Sequence, residues 1–198
     1  MEHVLPQVQE HRKAAYDIDP LFLNRWSARS YRPDPVADDV LYSLLEAAHW
    51  APSGNNEQPW RFVIARTAEE KERFYSFINE GNLIWCKQAP VLVLLVSKTV
   101  SSRGTTLRTH AFDAGAAWGY LALEATRKGL VTRAMGGYDR DKAREVLGIP
   151  DGFEPQIVIA IGHPGEKDAL PEALQEREQP TQRVPLSELV YEGAFSAK

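Results

Sequence analysis

The stretch Ala51-Pro52-Ser53-Gly54-Asn55-Asn56-Glu57-Gln58-Pro59-Trp60 joins two contrasting patterns. Apolar residues at helical spacing (Val40, Leu41, Leu44, Leu45, Ala48) run into it. A β-like run, Trp60-Arg61-Phe62-Val63-Ile64-Ala65, leaves it. Between them, two prolines fix φ and one glycine is free to take positive φ. Ser53, both asparagines and Gln58 supply donors and acceptors. A polar, constrained loop on a helix–strand frame is where binding surfaces are commonly built.

Working outward, helices and strands interleave. Asp19-Pro20 reads as an N-cap with proline at the first helical position, opening a short helix over 20–26. A helix over about 37–50 carries Asp38 and Asp39 at its positive end. Thr67-Ala68-Glu69-Glu70 is a capping box, predicting a helix to about residue 80 with Gly81 as C-cap. Residues 91–97 are almost wholly apolar, as in a strand buried on both faces. The helix predicted over 109–128 is crowded with Ala111, Ala114, Gly115, Ala116, Ala117, Gly119 and Ala122. Interior glycines cost about 1 kcal/mol each against alanine, so another helix, of this chain or a partner, is expected to approach closely. Strands over 131–135 and 156–161 flank a helix that begins at Asp139 or Asp141 and ends at Gly148. The pattern predicts a layered α+β or α/β domain, one sheet with helices packed on it.

The 198 residues, 43% hydrophobic and 25% charged, suit one domain with one sizeable core. The first 16 residues read as a polar arm and 166–198 as a proline-punctuated extension. A net charge of −4 gives no nucleic-acid footprint. The apolar run at 89–96 is too short to span a membrane, and no signal peptide opens the chain, so a cytoplasmic location is expected. Lone Cys86 precludes an internal disulfide. The five histidines lack metal-ligand spacing, and HExxH, GxSxG and GxGxxG are absent. Catalytic side chains are scarce, which fits a protein that takes its chemistry from a cofactor, and equally a binding module.

Three elements could serve one planar, anionic ligand. Arg25, Trp26, Ser27 and Arg29 place two guanidiniums and a hydroxyl close together. The loop 52–58 adds amides, and Met135-Gly136-Gly137 offers backbone N–H groups without side-chain obstruction.

Here the chain resembles the FMN-dependent nitroreductase family. Arg25-Trp26-Ser27-Ala28-Arg29 is similar to that family's RxSxR opening. Ala47-Ala48-His49-Trp50 and the stretch from Ala51 to Phe62 are similar to its APS..N.QPW.F signature. Asp113-Ala114-Gly115, Gly129-Leu130, Met135-Gly136-Gly137-Tyr138, Leu147-Gly148-Ile149-Pro150 and Arg183-Val184-Pro185-Leu186 extend the likeness over most of the chain. The resemblance implies an α+β fold, a central sheet flanked by helices, with the long helix in the core of a homodimer that holds FMN at its interface. Arg25, Ser27 and Arg183 would hold the flavin phosphate, and Arg29 would lie towards the pyrimidine edge. Gly136 and Gly137, beside Met135, would present N–H groups to the hydride-accepting edge. Pro52, Ser53, Gly54 and Asn56 would come from the other subunit. Asn82 would bond the ring edge or cap a helix; Trp85 would cover the substrate pocket or fill the core. The implied activity is NAD(P)H-dependent reduction of flat, electron-poor substrates such as nitroaromatics or quinones, by ping-pong hydride transfer through flavin N5. Dehalogenating and flavin-cleaving members exist, and a flavin carrier or sensor is the rival. The chain departs from the family in having Gly136 where an acid is common and Thr181 where a base is common. A second cation under the flavin is not evident.

Overall fold

A computed structural model describes residues 3–195; residues 1–2 of the expected arm and 196–198 of the expected extension lie outside it. The architecture follows from the unbroken apolar run that forms β2 (Val91–Lys98). Its neighbours are β1 (Trp60–Ala65) and β4 (Phe153–Gly162), and β3 (Val131–Met135) lies beyond β4, giving the order β1-β2-β4-β3. Every pairing is antiparallel, with Leu92 opposite Ala160 and Ala134 opposite Ile159. This is the α+β alternative.

Successive side chains of a strand point to opposite faces, so β2 feeds two cores. Leu92, Leu94 and Val96 pack with Val158, Ala160, Phe74, Trp85 and Cys86. Those last three come from α4 (Ala68–Tyr75) and α5 (Glu80–Cys86), with Ala143 from α7 (Arg140–Leu147) beside them. Val91, Val93 and Leu95 pack with Leu41, Leu44 and Ala48 of α3 (Asp38–His49), and with Ala114, Ala117 and Leu121 of α6 (His110–Arg127). Each fully buried leucine contributes about 1.5–3 kcal/mol relative to an exposed one.

The helix starts behave as their sequences predict. Asp19 Oδ1 accepts from Leu21 N–H at 2.8 Å to open α2 (Pro20–Asn24), preceded by the single turn α1 (Pro6–Gln9). Thr67 and Glu70 form the reciprocal capping box, and Asp139 caps α7 by accepting from Lys142 N–H at 2.9 Å. Helix ends differ more. α2 stops at Asn24, two residues short of the expected end, because Arg25 is extended (ψ 110°). The helix expected to run to residue 80 stops at Tyr75, and a second begins at Glu80. The break comes because Phe77 and Ile78 turn into the core, Ile78 bridges to Tyr138, and Asn79 N–H donates to Gly137 O at 3.1 Å. Gly81 therefore lies inside α5 rather than capping a helix.

The crowding expected along the long helix is also one-sided. Ala114, Ala117 and Ala125 pack inward, but among the described residues nothing beyond the helix's own backbone lies within 4 Å of where a Cβ on Gly115 or Gly119 would stand. Phe112 on the same helix is 81% exposed. Among the described residues, no helix is long and apolar enough to cross a membrane.

Candidate anion site and loop

Arg25 ends α2, and the chain then runs extended through Ser27 and Arg29. It is held there by the segment after β4. Tyr31 bridges to Pro164, Gly165 N–H donates to Ser30 O at 3.0 Å, and Ser30 Oγ donates to Glu166 O at 2.5 Å. Gly165 is needed for this approach, because a Cβ would sit 2.6 Å from Ser30 Oγ and 2.7 Å from the Tyr31 backbone.

The result is a cavity of about 370 Å³ lined by Arg12, Arg25, Trp26, Ser27, Arg29, Arg133, Arg177 and Arg183, with Glu176 and residues 179–181. The expected Arg25, Trp26, Ser27, Arg29 and Arg183 are thus brought together. Arg29 is buried against Glu178, whose Oε2 lies 3.6 Å from its Nη1. Glu178 Oε1 also accepts from the Arg29 and Ser30 N–H groups at 2.6 and 2.9 Å. Among the described residues, Arg12, Arg25, Arg133, Arg177 and Arg183 make no ion pair with a carboxylate. Arg25 Nη1 donates to Ser27 Oγ at 3.3 Å, and Arg183 Nη1 to Thr181 O at 3.3 Å. Arg133 donates to Ser27 O and lies over the Trp85 ring. Burial, and then Arg183, lower the Arg25 pKa; burial, and then Arg29, lower that of Arg133. Arg12, Arg25 and Arg183, gathered without a carboxylate partner among the described residues, favour an anion here.

Arg12, Arg133, Arg177 and Glu178 are additions to the sequence reading. Arg133 had a signal, a charge inside the apolar run Val131-Thr132-Arg133-Ala134-Met135. The other three stand in polar segments whose residues carry no periodic cue.

The remaining expected residues lie away from this cavity. Met135 is buried in the sheet, and Gly136 is exposed with only Ile157 Cδ1, at 3.8 Å, near a would-be Cβ. Gly137 is enclosed: a Cβ would meet Asn82 Nδ2 at 2.8 Å, and that amide donates to Gly137 O at 3.0 Å. Asn82 thus bonds the glycine turn. Trp85 is a core residue, 2% exposed and stacked on Tyr31 with ring centroids 6.3 Å apart. Tyr31 and Arg133 flank the indole, so within this chain Trp85 fills the core, the second of its two expected places.

The loop that carries Pro52, Ser53, Gly54 and Asn56 is exposed but tied down. Its turn, Gly54–Asn56, has positive φ at Asn55 (50°) and Asn56 (58°), and Gln58 follows at 45°. Left-handed backbone costs non-glycine residues about 1–2 kcal/mol each, least for asparagine. Several bonds hold it. Gln58 N–H donates to Ser53 Oγ at 3.1 Å and Gly54 N–H to Asp113 Oδ2 at 3.2 Å. Ser102 N–H and Oγ donate to the Glu57 carboxylate, each at 2.8 Å, and hold its pKa below the usual range. An exposed loop kept in a strained shape is suited to a surface that meets something.

Two other arrangements bear on the chemistry. His110 Nδ1 lies 2.7 Å from Ser97 Oγ, and its Nε2 3.8 Å from Glu154. Ser97 is fully buried, so this serine is an internal hydrogen-bond partner, not an accessible nucleophile. The described residues contain no group of three or more His, Cys, Asp or Glu able to hold a metal.

Fold and cavity together define an α+β protein with an arginine-lined cavity. The profile of the nitroreductase family matches residues 23–85 and 76–163. A crystal structure of an oxidoreductase containing FMN is 44% identical, covers 94% of this chain and 97% of its own, and superposes with a TM-score of 0.90. A nitroreductase family protein from Clostridium difficile is 25% identical over 91% of this chain and all of its own, with a TM-score of 0.72. An NADH dehydrogenase of Thermus thermophilus is 27% identical, over 88% of this chain and 95% of its own length. The chain belongs to the nitroreductase family.

Proposed function

We propose that this chain is an FMN-dependent NAD(P)H oxidoreductase, working as a homodimer on flat, electron-poor substrates such as nitroaromatics or quinones. The observation that carries the reading is the cavity where Arg25 and Arg183 meet without an acid to neutralise them. That donor set fits the phosphate monoester of FMN. The likeness to an FMN-containing oxidoreductase supports the same cofactor.

Arg25 and Arg183, with Ser27, would grip the phosphate. Arg29, beside Trp26, would favour negative charge on the pyrimidine edge, moderated by its pairing with Glu178. The N–H groups of Gly136 and Gly137 would face the reacting edge, with Asn82 fixing the Gly137 peptide through its carbonyl. When bound, FMN would supply hydride acceptance and donation at N5, in a ping-pong cycle with NADH or NADPH. No protein side chain need act as nucleophile.

Two features support the homodimer. The outward glycines of α6, with Phe112, leave a flat face that a second α6 would cover in an isologous contact. The braced loop does not line its own subunit's cavity. Pro52, Ser53, Gly54 and Asn56 would therefore serve the partner's flavin.

A visible spectrum and anaerobic titration test this. The protein should bind FMN, and NADH or NADPH should bleach it. Failure of both reductants to bleach bound FMN sinks the enzyme reading. Arg25→Ala should weaken FMN binding by about 1.5–3 kcal/mol, the scale of a charged hydrogen bond. A monomer with undiminished FMN affinity would sink the shared site.

A further inference from the structure

Arg12 lies outside the segments matched by the family profile, as do Arg177 and Arg183. It is nevertheless only 9% exposed. Its Nε donates to Thr181 O at 2.9 Å, and its Nη1 donates to Leu23 O at 2.6 Å and Arg25 O at 2.8 Å. One guanidinium therefore ties the N-terminal arm to the end of α2 and to the C-terminal segment. A guanidinium has five N–H groups, and these bonds use three. The two on Nη2 have no hydrogen-bond partner among the described residues, and the side chain lines the cavity. Its three partners are neutral carbonyls, so its charge is solvated but not neutralised. Burial, Arg183 and Arg25 push its pKa down to about 10. A dianion beside Nη2 would answer both the unused donors and the repulsion among three arginines.

We propose that Arg12 is a phosphate-binding residue supplied by the N-terminal arm, that it locks the segment bearing Arg183 across the cavity, and that it thereby selects phosphorylated flavin over riboflavin. The proposal rests on the FMN reading above. It concerns a residue outside the segments that the family profile matches.

The test compares FMN and riboflavin binding to the full-length apoprotein by quenching of flavin fluorescence, in wild type, Arg12→Gln and Arg12→Lys. Arg12→Gln should raise the FMN Kd ten- to a hundredfold and leave the riboflavin Kd within threefold. Arg12→Lys, which keeps charge but loses the planar fork, should fall between. Equal losses for both flavins would make Arg12 a purely structural tie and overturn the proposal, as would no loss for either. A second readout is independent of flavin. Inorganic phosphate should slow proteolysis after residue 175 in the wild type, and in Arg12→Gln that protection should be absent. Wild type unprotected by phosphate overturns the proposal even if the glutamine variant fails to fold. If wild type binds neither flavin yet is protected by phosphate, the FMN reading fails and the role of Arg12 towards an anion stands.

Discussion

Glu178→Ala should destabilise the protein far more than its place in a polar tail suggests. Glu178 Oε1 accepts two backbone N–H bonds, at 2.6 Å from Arg29 and 2.9 Å from Ser30, and Oε2 lies 3.6 Å from the Arg29 guanidinium. The two side chains are 10% and 4% exposed, so solvent screens this pair little. Hydrogen bonds to a charged group contribute about 1.5–3 kcal/mol each, which puts the two together at about 3–6 kcal/mol. Removing one partner of a buried pair costs about 3–5 kcal/mol, since the other charge is stranded. Water reaching Arg29 after truncation should relieve part of this, so the expected loss is about 3–4 kcal/mol in urea unfolding of the ligand-free protein. Glu178→Gln, which keeps an acceptor oxygen for both backbone donors, should lose about 1–2 kcal/mol. Amide hydrogen exchange at Arg29 and Ser30 reads the same contact locally, and protection should fall in the order wild type, Gln, Ala. An alanine variant within 1 kcal/mol of wild type, with both amides still protected, refutes the reasoning.

Asp113→Ala removes the acceptor of Gly54 N–H and Thr109 Oγ, and should cost about 2–3 kcal/mol with faster exchange of the Gly54 amide; an unchanged amide would show that the loop is braced elsewhere. Gly137→Ala should displace the Asn82 amide and cost about 1–2 kcal/mol, whereas Gly136→Ala, with its nearest neighbour at 3.8 Å, should stay within about 0.5 kcal/mol; calorimetry that reverses this order contradicts the packing. Burial pushes the Cys86 thiol up to about 12 from 9.0, so native protein should resist alkylation at pH 8 until it is unfolded. Because the folded pKa is the higher one, the stability tied to this thiol is intact below about pH 9 and is lost as pH rises towards 12; denaturation midpoints across that window measure it.

Much of the fold was legible because local rules and burial agree. The run 91–97 reads as a strand buried on both faces, and β2 is one. Asp19, Thr67 and Asp139 mark helix starts by side-chain bonds that are local in sequence. Helix ends were less legible where long-range contacts decide them. Nothing near Ser76 announces that Ile78 bridges to Tyr138, so the break between α4 and α5 was invisible. The site divides in the same way. Arg25, Trp26, Ser27 and Arg29 are close in sequence and share the cavity with Arg183. Arg12 and Glu178 act across separations of 169 and 149 residues, which no spacing rule encodes. Trp85 carried two readings, and its burial beneath Arg133 selects the core.

The hydrophobic core and the charged cavity draw on different parts of the chain. The last strand closes at Gly162, whereas Arg177, Glu178, Thr181 and Arg183 all come later and mostly at the surface. A cut after residue 175 would therefore leave both hydrophobic layers while removing half of the cavity's lining residues, and Glu178 with them. Such a shortened chain would keep its core, lose the stability that Glu178 lends to Arg29 and Ser30, and fail a binding check.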